Sequence, residues 1–146
     1  MRVEFHPTFA QQYEQLCRNE EAAEVAGEIT MLLDALEEHG HDLEGEASED
    51  PSHPIVTSRY RTFALRRTPP TIYTPYADVP PVIRIPYVWF LDTDTHEEVA
   101  VVMLMGDKAT QGSHWYPKQV ETIETLLIPS WEHHHPTHRA MTRRTR

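Results

Sequence analysis

Residues 82–105 read VIRIPYVWFLDTDTHEEVAVVMLM, two apolar stretches separated by a polar turn. No other segment restricts the fold as much. Strands that are apolar at nearly every position are covered on both faces, so residues 82–92 and 97–105 are expected to form an antiparallel hairpin at the centre of a sheet. Two charges interrupt the pattern, Arg84 inside the first strand and Lys108 just beyond the second. A charge beside a buried strand is costly unless it reaches solvent or a partner, so these positions mark either a sheet edge or a site.

The elements upstream follow from periodicity. RVEF at residues 2–5 suits a short first strand ended by Pro7. Thr8 with Gln11 fits a capping box, followed by Phe9, Tyr13, Leu16 and Cys17 at helical spacing. A second helix carries Ala22, Val25, Ala26, Ile29, Leu32, Leu33 and Leu36 as one apolar stripe, and Gly40 stops it. HDLEGEASEDPSHP is expected as a loop, and IVTSRYRTFALRR as the next strand. Pro69, Pro70, Pro75, Pro80, Pro81 and Pro86 then crowd a short span, so residues 68–81 are expected as a stiff excursion between two sheet strands. Pro117 suits the first turn of a last helix with Val120, Ile123 and Leu127 on one side. Beyond Pro129 no periodicity is visible.

The order β-α-α-β-β-β-α is that of an α+β domain, a small, mainly antiparallel sheet with helices packed on it. The domain is expected over residues 1–130, with 68–81 as an inserted proline-rich loop and 131–146 as a His/Arg-rich tail. With 146 residues and one cysteine, Cys17, the chain can bury a core but has no disulfide framework and no cysteine zinc site. The N-terminus lacks the apolar region of a signal peptide, and no run is long enough for a membrane span, so a cytoplasmic protein with no membrane contact is expected.

Charge is distributed unevenly. Residues 1–54 hold 14 acids against Arg2 and Arg18, whereas residues 55–146 hold 11 Lys/Arg against 9 acids. Two such halves imply two surfaces with different partners, or a solvated acidic helix pair with none.

No Gly-rich phosphate loop, nucleophile elbow or H-E-x-x-H motif is present, and nothing calls for a cofactor. His133, His134, His135 and His138 lack carboxylate support and are expected as a solvated tail, with no metal. What remains is a set of cations and aromatics around the sheet: Arg59, Arg61, Arg66, Arg67, Arg84, Tyr87, Lys108, His114, Tyr116 and Lys118. Such a rim suits an RNA backbone, where cations hold phosphates and aromatics stack on bases. It is also compatible with Arg66 pairing to acids of the helices and Arg84 being an ordinary edge residue.

The run YRTFALRR, VIRIPYVWFLD, EEVAVVMLMGDK and WYPKQVETI, together with the order of elements, resembles the RelE/ParE superfamily of type II toxin–antitoxin toxins, HigB-like members included. The resemblance covers most of residues 2–127. It places Arg84 of IRIPY on the family's catalytic arginine and Lys108 of MGDK where its nucleases carry arginine or lysine. Tyr116 of WYPKQV falls on their tyrosine. Thr62 and Ala64 stand where RelE-type nucleases have lysines, leaving Arg59 and Arg61 to substitute from adjacent positions.

The implied activity is ribosome-dependent mRNA cleavage, in which the 2′-OH attacks the adjacent phosphate. Arg84 would hold the phosphate charge, with Lys108 and Arg61 in support. Tyr116 would stack on a base or orient the 2′-OH, and His114 is a candidate acid or base. Arg59, Arg66, Arg67 and Lys118 would bind RNA, and a cognate antitoxin would be the protein partner. Strand parity puts Arg84 on a face with Pro86 and Val88 and turns Tyr87 away, unless Pro86 marks a bulge, so Tyr87 is left out of the site. Two other readings share the fold: a ParE-like inhibitor of gyrase, and a non-catalytic binding or regulatory module.

Overall fold

The computed structural model describes residues 2–47, 49–67, 82–107 and 115–143. The proline-rich segment 68–81, Lys108 and His114 lie outside the described residues.

The fold is α+β. Strand β1 (Arg2–Phe5) leads into helices α1 (Pro7–Arg18) and α2 (Ala23–His39), then strands β2 (Ser52–Pro54), β3 (Thr62–Arg67), β4 (Ile83–Asp92), β5 (Glu98–Val102) and β6 (Gly106–Asp107). Helices α3 (Trp115–Thr122) and α4 (Ile128–His134) follow, joined by a π-helical turn over Ile123–Leu127, and β7 (His138–Ala140) comes last. Among the described residues the sheet runs β1-β5-β4-β3-β2, with β6 and β7 also paired to β4. Among the described residues, β1 with β5 is the one parallel strand pair; the others are antiparallel.

Strand β4 is the centre, and alternation along it divides the core. Ile83, Ile85, Tyr87 and Trp89 pack with Leu65 against the α1–α2 pair. Val88 and Phe90 face the other way, with Val99, Val101 and Met103, onto Trp115, Ile123, Leu127, Ile128 and Trp131 of the C-terminal helices. Both faces are thus covered, which is why the two strands are almost wholly apolar. Each fully buried aliphatic or aromatic side chain of this kind stabilises by about 1.5–3 kcal/mol relative to exposure.

Pro86 has no N–H to give to a neighbour, and the sheet accommodates it with a bulge. Tyr87 is opposite Val102, but Arg84 is opposite Gly106, so the facing chain carries an extra residue between β5 and β6. The bulge lies in the facing chain, so the parity of β4 is intact and Tyr87 stays on the helix-pair face.

Several sequence expectations need correction. The cap of α1 is His6, whose Nδ1 accepts from the Thr8 amide at 3.0 Å; Pro7, with no N–H and a helical φ, takes the first helical position ahead of Thr8. The acidic stretch expected as a loop contains edge strand β2, where prolines are tolerated because one side of an edge strand carries no ladder bonds. The next strand is shorter than expected. It begins at Thr62, and the preceding residues turn under a Ser58–Thr62 hydroxyl bond of 2.8 Å.

The last helix starts at Trp115 and continues through Pro129 to His134. The Ile128 amide bonds the Ile123 carbonyl, five residues back, and this widened turn makes room for the proline ring just upstream of it. Residues 131–143, expected as a tail, pack on the sheet: Trp131 is buried, and β7 pairs with Phe90, Leu91 and Asp92. Gly40 ends α2 as expected, with φ 52° and its amide on the Leu36 carbonyl. No helix among the described residues is long and apolar enough to cross a membrane.

Candidate functional site

The site is assembled at the start of β4. Arg84 is flanked across the sheet by Arg66 of β3 and by Gly106 of β6. Like charges directly opposite each other on one sheet face are destabilising, so the Arg66–Arg84 pair concentrates positive potential that an anion would relieve. A cleft of about 330 Å³ opens beside them, lined by His53, Pro54, Ile55, Val56, Thr57, Arg66, Arg84 and Tyr116.

Each side chain is placed by its element. The Arg84 Nη1 donates to the Ile83 carbonyl at 2.8 Å. Arg66 reaches around β2, donating from Nε to the Asp50 carbonyl at 3.0 Å and from Nη2 to the Ala47 carbonyl at 3.1 Å. Tyr116 is set by its neighbour. Trp115 is fully buried, with its indole edge on to the Tyr116 ring at 5.0 Å. That indole lies over the backbone of Gly106, where a Cβ would stand only 2.7 Å from its Nε1, so only glycine permits the approach. Burial pushes the Tyr116 phenol above its ordinary range, while Arg84, close enough to hydrogen-bond it, and Arg66 pull the other way. The phenol is therefore protonated at neutral pH and remains a donor.

A second cleft, of about 360 Å³, shares Arg66 and Arg84 and is completed by Leu32, Glu49, Asp50, Pro51 and Arg67. One wall thus carries carboxylates as well as guanidinium groups. The floor common to the arginines carries positive charge, and the adjoining wall carries the Glu49 and Asp50 carboxyl groups.

Of the residues singled out from the sequence, Arg66, Arg84 and Tyr116 converge. Arg67 lines the second cleft and pairs with Glu28 of α2 at 2.7 Å, on the opposite face of the sheet. Arg59 is held by Glu124 at 3.1 Å and lies over the Tyr60 ring, and Arg61 is 3.9 Å from Glu98; neither lines the cleft. Lys118 is exposed on α3. Lys108 and His114, outside the described residues, have no placement here. His53 and Gly106 are the residues missed. His53 lies in an acidic, proline-flanked segment that reads as a loop, and the one available signal for Gly106 is a glycine closing an apolar strand.

Three other polar clusters among the described residues are internally satisfied. The Glu44 carboxylate accepts from the Tyr87 hydroxyl at 2.8 Å and the Trp89 indole at 2.6 Å, and His41, stacked on Trp89 at 3.9 Å, bridges Glu44 and Glu98. At the far end of β4, Asp92 takes Arg2 at 2.8 Å and has His138 at 3.5 Å. His6 lies 2.8 Å from Ser130, but its Nδ1 is the acceptor for the Thr8 amide. The remaining nitrogen therefore donates to the serine and cannot activate it. Among the described residues no three His, Cys, Asp or Glu side chains are grouped to hold a metal.

No family model, curated protein or solved structure matches this chain.

Proposed function

We propose that the chain is a RelE/HigB-like toxin of a type II toxin–antitoxin system, a cytoplasmic endoribonuclease that cuts translated mRNA on the ribosome and is silenced by a cognate antitoxin. The observation that carries this reading is the convergence of Arg66, Arg84 and Tyr116 on one open cleft. Attack of a 2′-OH on the adjacent phosphorus builds negative charge on the phosphoryl oxygens, and paired guanidinium groups with a phenol donor are suited to stabilise it. The apolar wall of Pro54, Ile55 and Val56 offers a surface for a nucleobase.

The test is made in cells. The wild-type chain and Arg84→Ala are induced separately without antitoxin, and new mRNA 5′ ends are mapped at translated and untranslated sites. Cuts confined to translated codons, and absent with the folded variant, support the reading. Growth arrest without cuts moves the assignment to gyrase inhibition, and neither effect leaves a binding module of this fold.

A further inference from the structure

Cleavage by a ribose hydroxyl needs a group to take its proton, and neither arginine nor a protonated phenol does so at neutral pH. Among the described residues, the cleft is lined by one imidazole, that of His53. Resting on the nuclease reading above, we infer that His53 is the general base of this site.

Three observations support it. Register places His53 opposite Ala64, two residues from Arg66 on β3, so His53 shares the sheet face of Arg66 and Arg84 and lies diagonal to Arg66. Ser52, its neighbour, points the other way and bonds the Tyr87 hydroxyl at 2.7 Å, which fixes that orientation. The His53 Nε2 donates to the Ala47 carbonyl at 2.5 Å, and the same oxygen accepts from Arg66 Nη2 at 3.1 Å. One backbone oxygen thereby clamps the imidazole beside the guanidinium.

That hydrogen bond also selects the tautomer. With the proton of the neutral ring on Nε2 and committed to a carbonyl, the lone pair is on Nδ1, which makes no hydrogen bond among the described residues. This is the arrangement of a catalytic base held by a backbone acceptor, built from residues 47, 53 and 66.

In the step, Nδ1 takes the 2′-OH proton as the O2′–P bond forms. The P–O5′ bond breaks, the departing oxygen takes a proton from water, and the imidazolium returns its proton to solvent. The products are a 2′,3′-cyclic phosphate and a 5′-hydroxyl.

Purified wild type, Arg84→Ala, His53→Ala and His53→Gln are added to a reconstituted translation reaction on a defined mRNA, with and without imidazole, and cleavage is timed by primer extension. The glutamine Nε2 retains the donor to Ala47, so His53→Gln holds the local fold while lacking a basic nitrogen; thermal melts check all four proteins. Both His53 variants are expected to lose roughly 10²-fold or more in rate. Imidazole is expected to restore His53→Ala but not Arg84→Ala. Wild-type rates in either His53 variant overturn the assignment while the nuclease reading stands. A loss that imidazole does not relieve makes His53 a positioning residue and overturns its role as base. A wild-type chain that cleaves nothing overturns both readings before any variant is compared.

Discussion

Strand β4 carries one charge near each end, and the two are treated in opposite ways. Asp92 is 4% exposed and surrounded by its own complement: Arg2 at 2.8 Å, the Asp94 amide at 3.0 Å and His138 at 3.5 Å. The Arg2 guanidinium holds its carboxyl at about 2, below the ordinary 3.8. Arg84, near the other end, faces a second arginine and a phenol across a cleft open to solvent. The first charge is consumed in tying β1, β4 and β7 together. The second lies on an open cleft beside another arginine, the arrangement on which the proposed site rests.

The largest expected separation of the two ends comes from Arg84→Ala. Cleavage should fall by roughly 10²-fold or more for the loss of one preorganised donor, with a melting temperature close to wild type. Gly106→Ala should approach that loss without removing any side chain from the cleft. Its Cβ would displace the Trp115 indole and with it Tyr116, and a misplacement of about 1 Å can reduce a rate by on the order of 10²-fold. Tyr116→Phe should cost about tenfold in the same 5′-end assay, the equivalent of a single hydrogen bond.

At the other end the readout is stability. Asp92→Asn should lower the melting temperature more than Arg84→Ala does and leave the relative rates at the cleft unchanged. Because the folded carboxyl titrates near 2 and the ordinary one at 3.8, its contribution is complete above about pH 4 and disappears as pH falls toward 2. Asp92→Asn should therefore flatten the acid limb of a stability–pH profile in that window.

The smallest effect is expected from His138. Burial lowers its pKa below the ordinary 6.5, opposed by Glu4 and Asp92 and aided by His135 and Arg2. The unfolded chain takes up the proton first, so stability declines as pH falls below about 6.5. His138→Asn, which preserves an acceptor for the Trp131 indole, should reduce that slope in denaturant titrations at successive pH values.

How much of this was legible in the sequence depends on the length of each pattern. Two nearly continuous apolar strands and a long helical stripe define their elements by repetition, and the β4–β5 hairpin and α2 follow directly. Strands β2 and β7 span Ser52–Pro54 and His138–Ala140, too short for alternation to show, and each is held by pairing that only the tertiary fold supplies. Pro129 reads locally as a helix stop, but burial of Trp131 outweighs it and the chain widens one turn to continue. At the site, Arg84 is conspicuous as a charge inside an apolar strand, and Tyr116 is legible through the resemblance of WYPKQV to the family's tyrosine. His53 is not, since nothing around it in the sequence reveals the strand that turns it toward Arg66.

The parallel pairing of β1 with β5, Arg2 opposite Val99, bears on how the molecule is built as well as how it is held. Closing so long a segment loses chain entropy before the pairing returns anything, whereas the β4–β5 hairpin closes over a short turn. The hairpin is the expected early structure, with β1 docking onto it late. Weakening the Arg2–Asp92 contact should then accelerate unfolding while leaving the folding rate nearly unchanged. In a stopped-flow experiment, Arg2→Ala would steepen the loss of the native state, so the ion pair governs how long the folded protein persists once formed.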